Sequence, residues 1–125
     1  MTAFMSLTDA MSSNTSPITT HVLDTARGRP AAGIPVSLHM QAGKNWQELG
    51  RGVTNQDGRI TDLLQASKLK TGRYRLTFET AAYLSSFGKS FFPQIDIVFD
   101  VAEAAQHYHV PLLLSPFGYS TYRGS

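Results

Sequence analysis

The sequence lacks cysteine altogether, and it also lacks any long hydrophobic run. Without cysteine the chain can form no disulfide, no thiolate nucleophile and no cysteine-based zinc site, and its redox compartment is left open. The longest apolar stretch, residues 110–114, has the length of a strand, whereas a helix that spans a bilayer needs about 20 apolar residues. No membrane partner is therefore expected.

Clusters of like charge are missing as well. The formal net charge is +2, and the lysine and arginine residues are scattered along the chain. A nucleic-acid-binding surface needs basic side chains massed in a patch or a stripe. We therefore expect no nucleic-acid partner.

Residues 1–16 lack the features of a targeting segment. They are rich in serine and threonine, contain no basic residue and carry Asp9 where a signal peptide is apolar. Mitochondrial presequences favour arginine and avoid acids, so neither address is expected. We interpret residues 1–16 as a flexible extension of a cytoplasmic protein, followed by one domain at residues 17–125.

The remainder of the chain has the pattern of short strands. From Ile18 onwards, β-prone runs alternate with Gly, Pro and Asp-Gly turns, which is typical of a sandwich or a barrel. In residues 73–79, Tyr74, Leu76 and Phe78 alternate with polar residues, as in a half-buried strand. We therefore predict an all-β fold, a two-sheet antiparallel sandwich.

A single short helix is predicted at residues 81–87. Thr80 has the side chain of a helix cap, and Gly88 suits the left-handed residue that ends a helix. About two turns are too few to be stable alone, so this helix must dock on a sheet. The larger aromatic residues are expected in the core rather than around a ligand, namely Trp46, Phe91, Phe92 and Phe99.

Ionisable side chains gather near the end of the chain. His107 and His109 are two residues apart on a predicted strand and therefore share a face. A turn at residues 116–118 and a returning strand at residues 119–123 lead to Ser125. Its hydroxyl and the terminal carboxylate are expected to lie near the histidines.

Histidine is the side chain that can act as a general base near neutral pH, because an unperturbed imidazole has a pKa of about 6.5. The chain has four histidines, and His21 and His109 are among them. Arg59 follows an Asp-Gly turn and supplies a fixed cation whose planar fork can pair with two carbonyl oxygens. A lone histidine in an alternating strand is more often structural than catalytic, so residue chemistry leaves both readings open.

Three sequence blocks resemble a known family. They are residues 20–31 (THVLDTARGRPA), 57–59 (DGR) and 107–125 (HYHVPLLLSPFGYSTYRGS). Over roughly residues 18–125 the chain resembles the transthyretin-like proteins and, within them, the 5-hydroxyisourate hydrolases. The terminal tetrapeptide at residues 122–125 is the most specific part, because transthyretin itself diverges there.

The resemblance implies an enzyme of urate degradation in purine metabolism. Its reaction would be the hydrolysis of 5-hydroxyisourate to 2-oxo-4-hydroxy-4-carboxy-5-ureidoimidazoline, with water activated by histidine and no cofactor. The implied assembly is a homotetramer, a dimer of dimers, with each site at a subunit boundary. The implied catalytic residues are His21, Arg59, His109 and Ser125. The implied substrate-binding residues are His21, Arg59, Tyr122 and Arg123. His107 and Ser120 are expected to support them.

Two alternatives stay open. Imidazoles are common zinc ligands, and His21, His107 and His109 have a spacing that would allow an adventitious zinc ion. The other alternative is a carrier of the transthyretin type, which would bind a small molecule in the tetramer channel. The polar residues expected in that channel favour the hydrolase.

Overall fold

Strands dominate the regular secondary structure. The computed structural model describes residues 15–125, and within them it has nine strands, one short α-helix and one 3-10 turn. The strands are β1 (Ile18–Asp24), β2 (Arg29–Pro30), β3 (Pro35–Ala42), β4 (Asn45–Val53), β5 (Arg59–Ile60), β6 (Gly72–Glu79), β7 (Gln94–Val101), β8 (Tyr108–Ser115) and β9 (Gly118–Thr121). The helix, α1, covers Ala81–Ser85, and the 3-10 turn covers Ala66–Lys68.

The strands form two sheets, as predicted. One has the order β2-β1-β8-β9, with β5 also paired to β1, and the other has the order β4-β3-β6-β7. All paired strands are antiparallel except β1 and β8, which are parallel. Parallel neighbours cannot be joined by a tight turn, so this pair brings together two distant parts of the chain.

Alternating side chains close one hydrophobic core between the sheets. Tyr74, Leu76 and Phe78 of β6 have no exposed surface, which confirms the predicted strand. Val22 and Leu112 of the opposite sheet are equally buried. Full burial of each such side chain contributes about 1.5–3 kcal/mol. This core makes β1 and β8 a rigid support for whatever their outer faces carry.

The helix docks on the sandwich through two of its residues. Leu84 is buried, and the Tyr83 hydroxyl donates a 2.7 Å hydrogen bond to the carboxylate of Asp24, which is itself only 3% exposed. Burial of the phenol and its bond to Asp24 raise the pKa of Tyr83 to about 12. Asp24 also accepts from the backbone N–H of Arg27, so the same carboxylate shapes the turn after β1.

Two sequence predictions near this helix are wrong. Thr80 does not cap it with its side chain, because the Thr80 hydroxyl donates instead to the carbonyl of Phe92 at 2.6 Å. Phe91 is 69% exposed rather than part of the core, although Phe92 and Phe99 pack against the core as expected. Gly88 does adopt a positive φ, 129°, just after the helix.

The start of the domain is anchored at Ser16. Its hydroxyl donates to the carbonyl of Ile18, and the backbone N–H of Leu64 donates to it in turn. Of the predicted flexible extension, residues 1–14 lie outside the described residues. In the part of the chain that the structure describes, no helix is long and apolar enough to cross a membrane.

Candidate active site

Two of the predicted site residues, His21 of β1 and His109 of β8, lie on the outer face of this strand pair. The core-facing residues of β1 are Ile18, Thr20 and Val22, so Thr19 and His21 point to the other side of the sheet. His21 lies opposite Arg59 in the β1–β5 pair, and Thr19 lies opposite His109 in the β1–β8 pair. The parallel pairing thus joins the two predicted bases on one surface.

Arg59 is delivered by a tight turn. The side-chain oxygen of Asn55 accepts hydrogen bonds from the backbone N–H groups of Asp57 and Arg59, at 2.9 and 3.0 Å. Gly58 has φ 75°, and a side chain there would run into the carbonyl of Val22. The Asn-Gln-Asp-Gly segment therefore forms the turn that the sequence indicated, with Arg59 at its end.

A small cavity lined by polar residues opens at this surface. Its volume is about 250 Å³, and its lining includes Thr19, Arg59, Thr61, His107, His109 and Ser125. Three of the residues predicted to be catalytic line this cavity, namely Arg59, His109 and Ser125. The fourth, His21, is the cross-strand partner of Arg59. The cavity is of a size for a small, flat, polar molecule.

Both candidate bases have lowered pKa values. For His109 the largest cause is burial, followed by the positive charge of Arg59 and by the neighbouring His107 and His21, while a hydrogen bond with the Thr19 backbone opposes them. For His21 the causes are burial and Arg59, opposed by the Asp57 backbone and carboxylate. Both imidazoles are consequently held neutral at neutral pH, which is the form that can accept a proton.

The end of the chain lies against His109. The backbone N–H of Gly124 donates to the His109 carbonyl at 2.8 Å, and the two residues form an isolated antiparallel bridge. The returning strand β9 ends at Thr121 rather than at residue 123 as predicted, and the bridge resumes the pairing after it. This tail brings Ser125 to the cavity.

Three further predicted residues lie elsewhere in the single chain. Tyr122 and Arg123 line a separate groove of about 340 Å³ beside β7, where the Arg123 guanidinium stacks 4.5 Å over the ring of Tyr108. Ser120 is exposed on β9, opposite Leu113, outside the set of residues that line the histidine cavity. Their proposed roles in substrate binding and support stay predictions.

Thr19 is a site residue that sequence reasoning missed. Its hydroxyl lies 2.8 Å from Nδ1 of His109 and 3.1 Å from Nε2 of His107. The two-residue period of a strand places Thr19 on the face of His21, which is a usable signal. Its contact with the histidines depends on the β1–β8 pairing, and nothing local in the sequence indicates that pairing.

Two of the histidine rings lie side by side within residues 15–125. The rings of His107 and His109 are stacked, with centroids 6.4 Å apart and planes at 14°. In this described part, no group of three or more His, Cys, Asp or Glu side chains has the arrangement to hold a metal ion. An adventitious zinc ion at His21, His107 and His109 therefore stays a prediction.

Comparisons with known proteins agree with this geometry. The model of the HIUase/Transthyretin family matches residues 18–124. The chain is 48% identical over 118 residues to the 5-hydroxyisourate hydrolase of Mus musculus, covering 92% of this chain and 100% of that protein. Its structure is similar to Klebsiella pneumoniae 5-hydroxyisourate hydrolase (TM-score 0.74, 41% identity, 86% of this chain and 98% of that one). It is also similar to transthyretin from Sparus aurata (TM-score 0.81, 32% identity, 86% and 96%).

Proposed function

This chain belongs to the HIUase/Transthyretin family, and on that premise we propose that its histidine and arginine cavity hydrolyses 5-hydroxyisourate to 2-oxo-4-hydroxy-4-carboxy-5-ureidoimidazoline. The chain is an enzyme of the 5-hydroxyisourate hydrolase type and acts in urate degradation, since relatives of that name align over nearly all of it at 42–48% identity. The observation that carries the mechanism is the convergence of His21, Arg59 and His109 on one face of the sheet.

A neutral imidazole activates the water. The substrate is a cyclic amide whose ring opens when water adds to a carbonyl, so the site must remove a proton from that water. His109 faces the cavity, and His21 lies beside Arg59. Burial and the Arg59 charge lower the pKa of both imidazoles, which supports their action as bases at neutral pH.

Arg59 stabilises the charge that develops on the substrate. When water adds, the carbonyl oxygen becomes an oxyanion, and the positive charge of Arg59 beside it lowers the energy of that state. The Asn55-anchored turn holds the start of the Arg59 strand in place. A guanidinium also presents parallel N–H groups that match the carbonyl groups of a flat heterocycle.

The bonds formed and broken in the hydrolysis balance, and the protein is unchanged at the end of the reaction. A C–O bond forms between water and the carbonyl carbon, and the ring C–N bond breaks. The leaving nitrogen receives a proton, and the new carboxylic acid ionises. Ser125 lines the cavity, and its hydroxyl is a group that can hydrogen-bond to the water or to the oxyanion. No covalent intermediate is required.

The assembly that fits this site is a homotetramer built as a dimer of dimers. The edge strands β7 and β9 carry exposed apolar side chains, including Val98 at 52% and Tyr119 at 42% exposure. Exposed edge strands of this kind favour pairing with another copy. Such pairing would let Tyr122 and Arg123 of one subunit serve a site at the boundary with another.

A direct assay tests the function. 5-Hydroxyisourate is generated freshly from urate with urate oxidase, and its ultraviolet absorbance is followed with and without the protein, in the presence of a chelator. Faster decay at substoichiometric protein is the expected result. Decay equal to the spontaneous rate would contradict the proposal and favour the carrier alternative, which the likeness to Sparus aurata transthyretin at 32% identity makes the next function to test.

A further inference from the structure

One hydroxyl links the two imidazoles at the end of the chain. The Thr19 Oγ1 atom lies within hydrogen-bond distance of His109 Nδ1, at 2.8 Å, and of His107 Nε2, at 3.1 Å. Thr19 is only 5% exposed, whereas His107 is exposed to solvent. The three side chains, all in the lining of the cavity, thus form a continuous hydrogen-bonded path from the half-buried His109 to the exposed His107.

A hydroxyl between two imidazoles couples their tautomers. A hydroxyl has one proton to donate and two lone pairs to accept with. If it donates to His107 Nε2, it accepts from His109 Nδ1–H, and His109 then has its lone pair on Nε2. That is the tautomer in which His109 can take a proton from water at Nε2, the ring nitrogen that the Thr19 hydroxyl does not contact.

We propose that Thr19 and His107 are positioning residues that hold His109 in the Nδ1–H tautomer and relay to solvent the proton that His109 takes from the attacking water. The inference rests on the proposed hydrolysis, because it concerns the fate of that proton. Thr19 and His107 act through His109 and need not touch the substrate.

Each relay step conserves protons. Water gives a proton to His109 Nε2 as its oxygen bonds to the carbonyl carbon. The Nδ1 proton of the cationic His109 then passes to Thr19 Oγ1, while the Thr19 hydroxyl proton passes to His107 Nε2. His107, now cationic, releases its Nδ1 proton to bulk water. The reverse sequence supplies the proton that the leaving nitrogen needs, and it returns Thr19, His107 and His109 to their starting tautomers.

The overall reaction also releases one proton to solvent, from the new carboxylic acid. Hydrolysis of the cyclic amide yields a carboxylic acid, and a carboxyl group with a pKa near 4 is ionised at neutral pH. The nitrogen released is part of a ureido group, which is not basic enough to keep the proton. One proton must therefore leave the site in every turnover.

Two neighbouring groups disfavour a positive charge on His109. The titratable and charged groups around this path include His21 on β1, Arg59 on β5, Asp57 in the turn before it, Arg123 in the tail and the terminal carboxylate of Ser125, which lines the same cavity. Arg59 and His21 oppose positive charge on His109. The Arg123 guanidinium instead donates to the side-chain oxygen of Gln106 at 2.9 Å and to the backbone carbonyl of His107.

The test compares four variants by the pH dependence of kcat and KM. Thr19→Val removes the hydroxyl and keeps the branched shape, and Thr19→Ser keeps the hydroxyl. His107→Gln keeps a polar group beside Thr19 but cannot carry a proton. Thr25→Val is the matched control, because the Thr25 hydroxyl also bonds across the β1–β8 ladder, to Leu114 O at 3.1 Å, away from the histidines.

The relay predicts a specific pattern. Thr19→Val and His107→Gln should lower kcat by about 10- to 100-fold with little change in KM, a part of the usual general-base contribution. Thr19→Ser should restore most of the rate. Added imidazole buffer should rescue His107→Gln, because it replaces the outer proton acceptor, and should not rescue Thr19→Val. Thr25→Val should keep the wild-type profile.

The possible outcomes distinguish a failure of the relay proposal from a failure of the proposed hydrolase function. Wild-type protein that hydrolyses 5-hydroxyisourate, together with a Thr19→Val rate and pH profile equal to wild type, would overturn the relay alone. Loss of rate in His107→Gln without imidazole rescue would also overturn it, because His107 would then act only by packing. An inactive wild-type protein would overturn the proposed function and the relay with it. Thermal melting of each variant verifies that it is folded.

Discussion

Gly124 lies so close to the imidazole of His109 that a Cβ atom on it would be 2.6 Å from His109 Cδ2. The same methyl would lie 3.4 Å from Pro111 Cγ, so it has little room to move aside. The backbone N–H of Gly124 meanwhile bonds to the His109 carbonyl. The glycine of the terminal tetrapeptide is therefore needed for the tail to lie on a candidate base, a steric reason for that residue that the sequence pattern did not contain.

Replacing this glycine should disturb catalysis more than folding. In Gly124→Ala either the His109 ring or the tail must shift, and a displacement of about 1 Å at a catalytic group costs on the order of 100-fold in rate. We expect kcat for 5-hydroxyisourate to fall by that order, with a small change in melting temperature. Gly118→Ala is the matched control, since its Cβ would meet only Ser115 Oγ, at an ordinary 3.7 Å. Equal activity of the two variants would remove the steric role of Gly124.

Replacing His21 tests its assignment as a base. His21→Asn keeps a polar group opposite Arg59 but removes the titratable ring, so kcat should fall by about 100-fold or more. The assay is the decay of freshly made 5-hydroxyisourate. His39→Asn serves as the comparison, because His39 lies on β3 in the other sheet, near Glu48. A His21→Asn enzyme with wild-type turnover would return His21 to a structural role.

Arg59 should set the acid limb of the pH profile. Its charge is the second cause, after burial, of the lowered pKa of His21 and of His109. A base is lost as the pH falls through its pKa, so Arg59→Gln, which raises both pKa values, should move the acid limb of kcat/KM to higher pH. It should also lower kcat by about 10²–10³-fold, because the oxyanion loses its cation.

Histidine titrations by NMR measure the same change in pKa without an activity assay. The imidazole signals of His21 and His109 should titrate at higher pH in Arg59→Gln than in the wild-type protein. Arg73→Gln is the control, because the Arg73 guanidinium forms an exposed pair with Asp100 on the other sheet. Unchanged titration in Arg59→Gln would mean that burial by itself lowers the two pKa values.

Tyr83 should matter for stability and not for chemistry. Tyr83→Phe keeps the ring contact with Phe87 but leaves the buried Asp24 carboxylate with one donor fewer. The free energy of unfolding in urea should fall by about 1–2 kcal/mol, with kcat unchanged. Ser86→Ala is the control near the same helix, because its exposed hydroxyl bonds only to a backbone carbonyl. A loss no larger than that of Ser86→Ala would show that the Asp24 contact is neutral.

The same contact has a pH signature in the alkaline range. The folded pKa of Tyr83 is raised from 10.0 to about 12, so folding favours the protonated phenol. This contribution to stability is complete below pH 10 and is lost as the pH rises towards 12. Wild-type stability should therefore fall more steeply than that of Tyr83→Phe over this interval, in urea unfolding at fixed pH values. Parallel curves for the two proteins would contradict the assigned shift.

Prediction from the sequence succeeded where a local pattern decides the outcome. The alternation of Tyr74, Leu76 and Phe78 gave strand β6, because a strand points successive side chains to opposite faces. The Asn55 to Gly58 turn was predicted because an Asx side chain and a glycine with positive φ form it without outside help. The predictions for Thr80 and Phe91 were wrong because contacts distant in sequence, not local propensity, determine where these side chains lie.

What the sequence by itself determined is the chemical inventory and its local placement: the two-sheet fold, the imidazoles, the guanidinium after its turn, and the motifs of the family. Only the tertiary structure decided which of these groups meet. His107 and His109 are 88 and 90 residues from Thr19, and they reach it through the parallel pairing of β1 with β8. No short-range preference specifies that pairing. It follows from burying both strands over one core, and so the bridging hydroxyl and the glycine against His109 became visible only once the chain was folded.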